Sequence, residues 1–448
     1  MSEKKQEDIG KKLRKMYKTL EEDIFPEEIK ITLGEKEVIY KKKTWVVNEE
    51  EKGLRYGDNP GQPAAMYIPI NGNFEFGEVK CIQPGKTLTT SIELLQSGKH
   101  PGMINVMDVD RALNILKYLT EDPTVVIMKH NNPCGVASRD NLAEAYNAAN
   151  LADRIAAFGG AIALNRAVDK ETAELIAKNY SEVVVAPEYE AGALELLMKR
   201  KNLRIMRIEN MKMLQEWQDK FYVDFKSLGD GGLILQMNYN PRIKTVEDLK
   251  EKGILPKDID LMEIIDGKLK KTGKKVSINR EPTEREYQDM LFGWLVESGV
   301  TSNSVIYVKD KTTIGIGTGE QDRVGVAKIA RDKAYEKLRD RLCFEKHGKS
   351  YDSLSLEYEN SNGSEKLKIK EQLENLDYLT KEQNGGLRGA VMVSDGFFPF
   401  RDGPDVGLEE GISAIIQPGG SNRDYETIIA CNERNATMIY TGQRSFKH

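Results

Sequence analysis

The segment Lys129-His130-Asn131-Asn132-Pro133-Cys134-Gly135, directly after the apolar run Val125–Met128, has the residue types best suited to moving a proton. A neutral imidazole accepts a proton near pH 7, and an adjacent cation disfavours its charged form. Adjacency alone decides nothing, because His100, His347 and His448 also follow a lysine. Position is the stronger argument: in an open α/β sheet, ligands sit in loops beyond the carboxyl ends of strands. The same residues also read as an ordinary turn rich in Asn, Pro and Gly. Cys134 reads more readily as a small buried thiol than as a nucleophile.

Five further segments have chemical potential and a plainer alternative each. Gly53–Gln62 places Arg55 beside Tyr56, a guanidinium for a phosphate and a ring for stacking, or else a solvated turn. Ile314–Arg323 runs from a strand through glycines into a helix. It lacks both the GxGxxG spacing and the GK[ST] of a P-loop, so close backbone approach is the firmer expectation. Ser394–Asp402 holds three Phe between carboxylates, either a ligand wall or a turn tucked into the core. Gln417–Asp424 leads into a helix whose amino end suits an anion or is simply capped. The basic tail Thr441–His448 is expected to fray.

These segments need a scaffold, and length and composition bound it. The 448 residues suffice for two or three compact units. With 66 Lys and Arg against 71 Asp and Glu, the net charge of −5 argues against a protein that coats nucleic acid. Four scattered cysteines with no CxxC pair indicate neither a disulfide framework nor structural zinc, and a cytoplasmic setting follows. No leader-like or membrane-spanning run stands out.

Residues 1–50 read as a charged extension with an apolar helix face at Ile9, Leu13, Met16, Tyr17, Leu20 and Ile24, then a strand near Glu37–Tyr40. Residues 51–205 alternate strand and helix, including a helix at Leu142–Ala152. Residues 206–300 read as a mostly helical connecting segment. The α/β texture returns over 301–448, with strands at Ser304–Val308, Thr313–Gly317 and Ala390–Val393 and a helix from Val324 to Leu338. A polar stretch at about 343–384 reads as a surface insertion with a helical tail.

In order, LRYGDNPGQ, MKHNNPCGVA, AFGGAIALNRAVD, VVVAP, GGLILQ, SNSVIYVKD, IGIGTGEQDRV, VSDGFFPFRD and QPGGSNRD resemble the formyltransferase half of the AICAR transformylase/IMP cyclohydrolase family, over about 53–448 apart from the insertion. The resemblance implies an α/β fold of two cytidine-deaminase-like units. It also implies transfer of the formyl group of 10-formyltetrahydrofolate to the 5-amino group of AICAR, giving FAICAR and tetrahydrofolate. No counterpart of the family's cyclohydrolase domain precedes Gly53. A free-standing transformylase is therefore expected, with a separate IMP cyclohydrolase downstream.

Carried over by position, Lys129, His130 and Asn303 are the catalytic group: charge stabiliser, base and orienter of the formyl oxygen. Arg55, Tyr56, Asn105, Gly159, Glu182, Arg323, Phe397 and Arg444 fall on AICAR positions, and Glu182 stands where some members carry Asp against the carboxamide. Val324, Asp402, Ser421 and Asn422 fall on folate positions. Ser302, Ser304 and Asp395 lie where the family holds a structural potassium ion. Active sites across a homodimer interface are implied, with neither nucleic acid nor membrane as partner. Zinc is not expected, because HxE is absent and Pro133-Cys134 is not followed by a second Cys. Many members have His where Gly61 stands. A non-catalytic subunit of a purine-enzyme assembly is the competing class, disfavoured because it would need none of Lys129, His130, Asn303 or Asp402.

Overall fold

The computed structural model describes residues 23–448. Along the chain, β1 (Glu28–Leu33), β2 (Lys36–Lys42), β3 (Tyr67–Gly72) and β4 (Glu93–Gln96) precede α1 (Met103–Leu116). Next come β5 (Thr124–Lys129), β6 (Asn132–Ser138), α2 (Leu142–Ala152), β7 (Ala161–Leu164), α3 (Lys170–Ala177), β8 (Val183–Ala186) and β9 (Arg204–Arg207). Then follow α4 (Glu284–Glu297), β10 (Val305–Lys309), β11 (Thr312–Gly317), α5 (Arg323–His347), α6 (Tyr351–Asn360) and α7 (Gly363–Glu382). The chain closes with β12 (Val391–Ser394), α8 (Asp402–Leu408), β13 (Ala414–Gln417), α9 (Asp424–Glu433) and β14 (Thr437–Tyr440).

Two compact units form. The first comprises residues up to Leu113 together with Gly159–Asn240; the second comprises Asn114–Phe158 together with Pro241–His448. In the first unit β1, β2 and β3 make a small antiparallel sheet, while β7, β8 and β9 run parallel and β4 closes on β9 antiparallel. In the second, the order is β14-β13-β12-β10-β11-β6-β5, with parallel β12, β13 and β14 and antiparallel pairing for the rest. The fold is thus mixed α/β, with a large mixed sheet.

The apolar run Val125–Met128 is fully buried, as expected of a strand covered on both faces. Helix α2 starts where Asn141 accepts a hydrogen bond from Glu144 N at 2.8 Å. Two glycines set how closely helices lie on the hairpins. A Cβ on Gly135 would stand 2.0 Å from Ala149 O of α2, and one on Gly315 would stand 2.3 Å from Ala330 O of α5. Gly315 and Gly317, the latter 2.3 Å from Val326 O by the same measure, therefore serve helix packing and not a phosphate cradle. Below α5 the core gathers Tyr307, Val326, Met392, Phe398, Ile415 and Met438. Each large buried side chain contributes roughly 1.5–3 kcal/mol.

Several expectations change. The helix face expected at Ile9, Leu13, Met16, Tyr17 and Leu20 lies outside the described residues; Ile24, its last member, is exposed and in no helix, and the residues that follow supply β1 and β2 of the small sheet, β2 where a strand was expected. The 206–300 segment is not mostly helical: it holds hairpins Val223–Ser227/Leu233–Met237 and Ile259–Ile265/Lys268–Val276 beside α4. The strand Lys268–Val276 is half-buried only at Leu269, Thr272 and Val276, so no two-residue alternation marks it in the sequence. The 343–384 stretch is helical nearly throughout, because α5 continues to His347 and α6 and α7 follow. Cys343, Leu354, Ile369 and Leu376 give these helices a small core of their own.

Candidate active site

Lys129 ends β5 and His130 occupies a two-residue hairpin turn, with φ of 54° at His130 and 62° at Asn131. The loop beyond β5 is an antiparallel turn, since β6 pairs directly with β5. Positive φ is uncommon outside glycine, and such backbone strain concentrates at functional positions. A comparable turn joins β10 and β11, where Asp310 and Lys311 have φ of 52° and 49°. There the Asp289 carboxylate accepts from both backbone N–H groups, at 3.1 and 2.8 Å. At the His130 turn the partner is Lys447, whose Nζ donates to Asn131 O at 2.9 Å. His130 is exposed, and Lys129 Nζ donates to Phe158 O at 2.7 Å. Both line a cavity of about 170 Å³ that also takes in Asn132, Cys134, Lys333 and Lys337.

Asn132 connects this turn to the segment before β10. Its Oδ1 accepts from Thr301 N at 2.9 Å and Thr318 Oγ1 at 3.2 Å. Two residues on, Asn303 Oδ1 accepts from Arg323 Nη2 at 2.7 Å while its Nδ2 donates to Gln321 O at 3.0 Å. Arg323 Nη1 pairs with buried Asp395, which also accepts from Ser302 Oγ. Arg323 thereby orients Asn303 and anchors Asp395 at once.

Behind this pair lies Glu297, which nothing in the sequence singled out. Ser304 Oγ donates to Glu297 Oε1 at 2.9 Å, and Glu297 Oε2 is buried without a hydrogen-bond partner. Burial first, then the neighbouring Asp395 carboxylate, push the Glu297 carboxyl well above its usual range. Buried Ser304, Glu297 and Asp395, with half-buried Ser302, thus form a cluster of hard oxygen donors.

The carboxyl-terminal tail is held, contrary to the expected fraying. Ser445 N donates to Asp395 O at 2.9 Å, Ser302 N to Lys447 O at 2.9 Å, and Lys447 Nζ to Gly299 O at 2.6 Å. This fixes Arg444, whose guanidinium lies 5.3 Å from the Phe397 ring centroid. Phe398, next along, is fully buried, so the triple-Phe segment both tucks into the core and leaves Phe397 half-buried. Val324 stands in the first turn of α5, and Asp402 opens α8 with its Oδ1 accepting from Gly403 N at 2.9 Å. At the start of α9, Gly420 N donates to Asp424 Oδ2 at 2.8 Å, so the helix's own carboxylate occupies the place suited to an anion. Ser421 is half-buried and Asn422 exposed beside it.

The first unit gathers the other expected set. Arg55 lies 5.1 Å from the Tyr56 ring centroid, and Tyr56 O accepts from Met103 N at 2.8 Å. In the first turn of α1, Asn105 Oδ1 accepts from Gly102 N at 3.0 Å and its Nδ2 donates to Glu182 Oε2 at 3.2 Å. Gly159, with φ of 77°, donates its N–H to Tyr180 O at 2.9 Å. Arg204, also unnoticed in the sequence, faces Glu182 with Nη1 3.8 Å from Oε2. A side chain at Gly61 would meet open space.

Comparison with known proteins gives this geometry a family. The family described as AICARFT/IMPCHase bienzyme matches residues 15–333. The bifunctional purine biosynthesis protein PurH of Magnetococcus marinus is 35% identical over 398 residues, 89% of this chain and 59% of that protein. Its namesake in Acetivibrio thermocellus is 34% identical over 440 residues, 98% of this chain and 64% of that protein. In Chlorobaculum parvum the figures are 34% over 403 residues, 89% and 60%. The chain therefore spans between 59% and 64% of the length of these relatives. With the family match covering more than half of its residues, the chain belongs to the AICARFT/IMPCHase bienzyme family.

Proposed function

We propose that this chain transfers the formyl group of 10-formyltetrahydrofolate to the 5-amino group of AICAR, releasing FAICAR and tetrahydrofolate. The observation that carries the proposal is the strained His130 turn, tied through Asn132 to the Asn303 segment and through Lys447 to the tail that holds Arg444. In this mechanism His130 removes the amine proton as nitrogen attacks the formyl carbon. Lys129 and Asn303 stabilise the oxyanion that develops on the formyl oxygen. Collapse of that tetrahedral species breaks the bond to the folate nitrogen, which leaves protonated.

AICAR is held by Arg55 and Arg444 at its phosphate, by Tyr56 and Phe397 at its rings, and by Asn105, Gly159, Glu182 and Arg323 around them. Val324, Asp402, Ser421 and Asn422 take the folate. A potassium ion suits the hard-oxygen cluster, with Ser302, Ser304 and Asp395 as its holders and a purely structural charge as its contribution. The paired hairpin–helix segments β5-β6-α2 and β10-β11-α5 support two deaminase-like units, and the cytoplasm is the proposed setting. FAICAR is the expected product, passed to a cyclohydrolase site for ring closure. Tetrahydrofolate release that depends on AICAR tests the proposal: folate turnover at the same rate without AICAR, or none with both substrates, would refute it.

A further inference from the structure

Glu182 and Arg204 are joined by backbone before their side chains meet. Glu182 directly precedes β8, and Arg204 opens the parallel neighbour β9. Arg204 N donates to Glu182 O at 3.0 Å, and Glu182 N donates to Gly160 O at 3.1 Å. Their side chains face each other with Nη1 3.8 Å from Oε2, a Coulombic contact longer than a hydrogen bond. Asn105 Nδ2 reaches the same Oε2 from the other side at 3.2 Å. The Glu182 side chain is 44% exposed while that of Arg204 is 11% exposed.

Burying a guanidinium is costly, and Arg204 Nε is buried with no hydrogen-bond partner. Its burial draws its pKa below the ordinary arginine value, while the Glu182 carboxylate acts against that shift and the Arg55 charge adds to it. A group buried at that cost, and directed at one edge of a half-exposed carboxylate, fits a role in holding that carboxylate. Glu carries one more methylene than Asp and loses more rotamer freedom when fixed. Two contacts converge on Oε2, and the half-exposed carboxylate keeps acceptor capacity for an N–H donor.

We infer that Arg204 is a positioning residue that fixes Glu182 as the acceptor for the carboxamide N–H of the nucleotide substrate. The inference rests on AICAR being that substrate. The test is calorimetric binding of two nucleotides, AICAR and 5-aminoimidazole ribotide, which lacks the carboxamide, to wild-type protein and to Arg204→Met, Arg204→Lys, Glu182→Gln and the double variant. Arg204→Met should weaken AICAR binding by about tenfold, in the range of a charge-assisted hydrogen bond, and leave 5-aminoimidazole ribotide binding unchanged. Arg204→Lys should fall between wild type and Arg204→Met. The double variant should lose no more than Glu182→Gln alone, because the two residues act as one unit.

Equal losses for both nucleotides, or fully additive losses in the double variant, would overturn the role given to Arg204. If Arg204→Met does not fold, Arg204→Lys decides by the same comparison of nucleotides. Wild-type protein that binds neither nucleotide would instead contradict the formyl-transfer proposal itself.

Discussion

An imidazole at the tip of a tight hairpin turn has little to hold it except backbone, and here the backbone is held from two sides. Asn132 ties the turn to Thr301 and Thr318, and Lys447 ties it to the tail. If His130 takes the amine proton, His130→Ala should cut kcat by about 10²–10⁴-fold. AICAR affinity should stay within a few-fold, because the loss falls on the transition state. Near-wild-type kcat at saturating substrate would mean another base. Arg55→Ala and Arg444→Ala should each weaken AICAR binding by about 1.5–3 kcal/mol, and calorimetry that finds both unchanged removes the phosphate anchor. The Lys-His pair, Arg55 and Arg444 were legible as residue types in loops. Glu297, Arg204 and Lys447 were not: each depends on tertiary neighbours, as when Lys447 reaches Asn131 across a separation of 316 residues.

Elements were legible where their period was clean, as in β5, α2, β11 and the start of α5. They were not where a strand lacks alternation, as in Lys268–Val276 with half-buried residues only at Leu269, Thr272 and Val276, or where a long helix continued through polar residues, as α5 does to His347. The α4 start shows how much such a junction carries. Thr283 and Glu286 form a capping box, while Arg280 grips the buried Glu286 carboxylate at 2.9 and 2.8 Å and reaches Ser413 O before β13. Burial alone would raise the Glu286 pKa, yet the hydrogen bonds from Arg280, Thr283 and Ser413 outweigh it and lower it from 4.5 to about 2. A depressed carboxylate stabilises the fold above its unfolded pKa and loses that contribution as pH falls from 4.5 toward 2. Glu286→Gln should therefore cost roughly 2–4 kcal/mol at pH 7 and flatten the acid limb of the stability curve. Denaturant titrations at pH 7 and pH 3 check both, and an unchanged acid limb would contradict the assignment.

At the scale of the molecule, the proposed residues divide between the units. Lys129, His130, Asn303 and the oxygen cluster belong to one; Arg55, Tyr56, Asn105, Glu182 and Arg204 belong to the other. Under the proposed reading, active sites form across a homodimer interface. Exposed apolar side chains at Leu233, Ile234, Leu235 and Met237 agree with an association surface. Sedimentation at micromolar concentration should give twice the 50.6 kDa chain mass, and a fully active monomer would rule out shared sites. The most direct measurement follows an isotopically labelled formyl group. Purified protein given AICAR and 10-formyltetrahydrofolate labelled on that group should yield FAICAR carrying the label, resolved by mass spectrometry from IMP, at a rate that collapses in His130→Ala. Label that remains on the folate, or that reaches AICAR equally fast in His130→Ala, would contradict formyl transfer by this site.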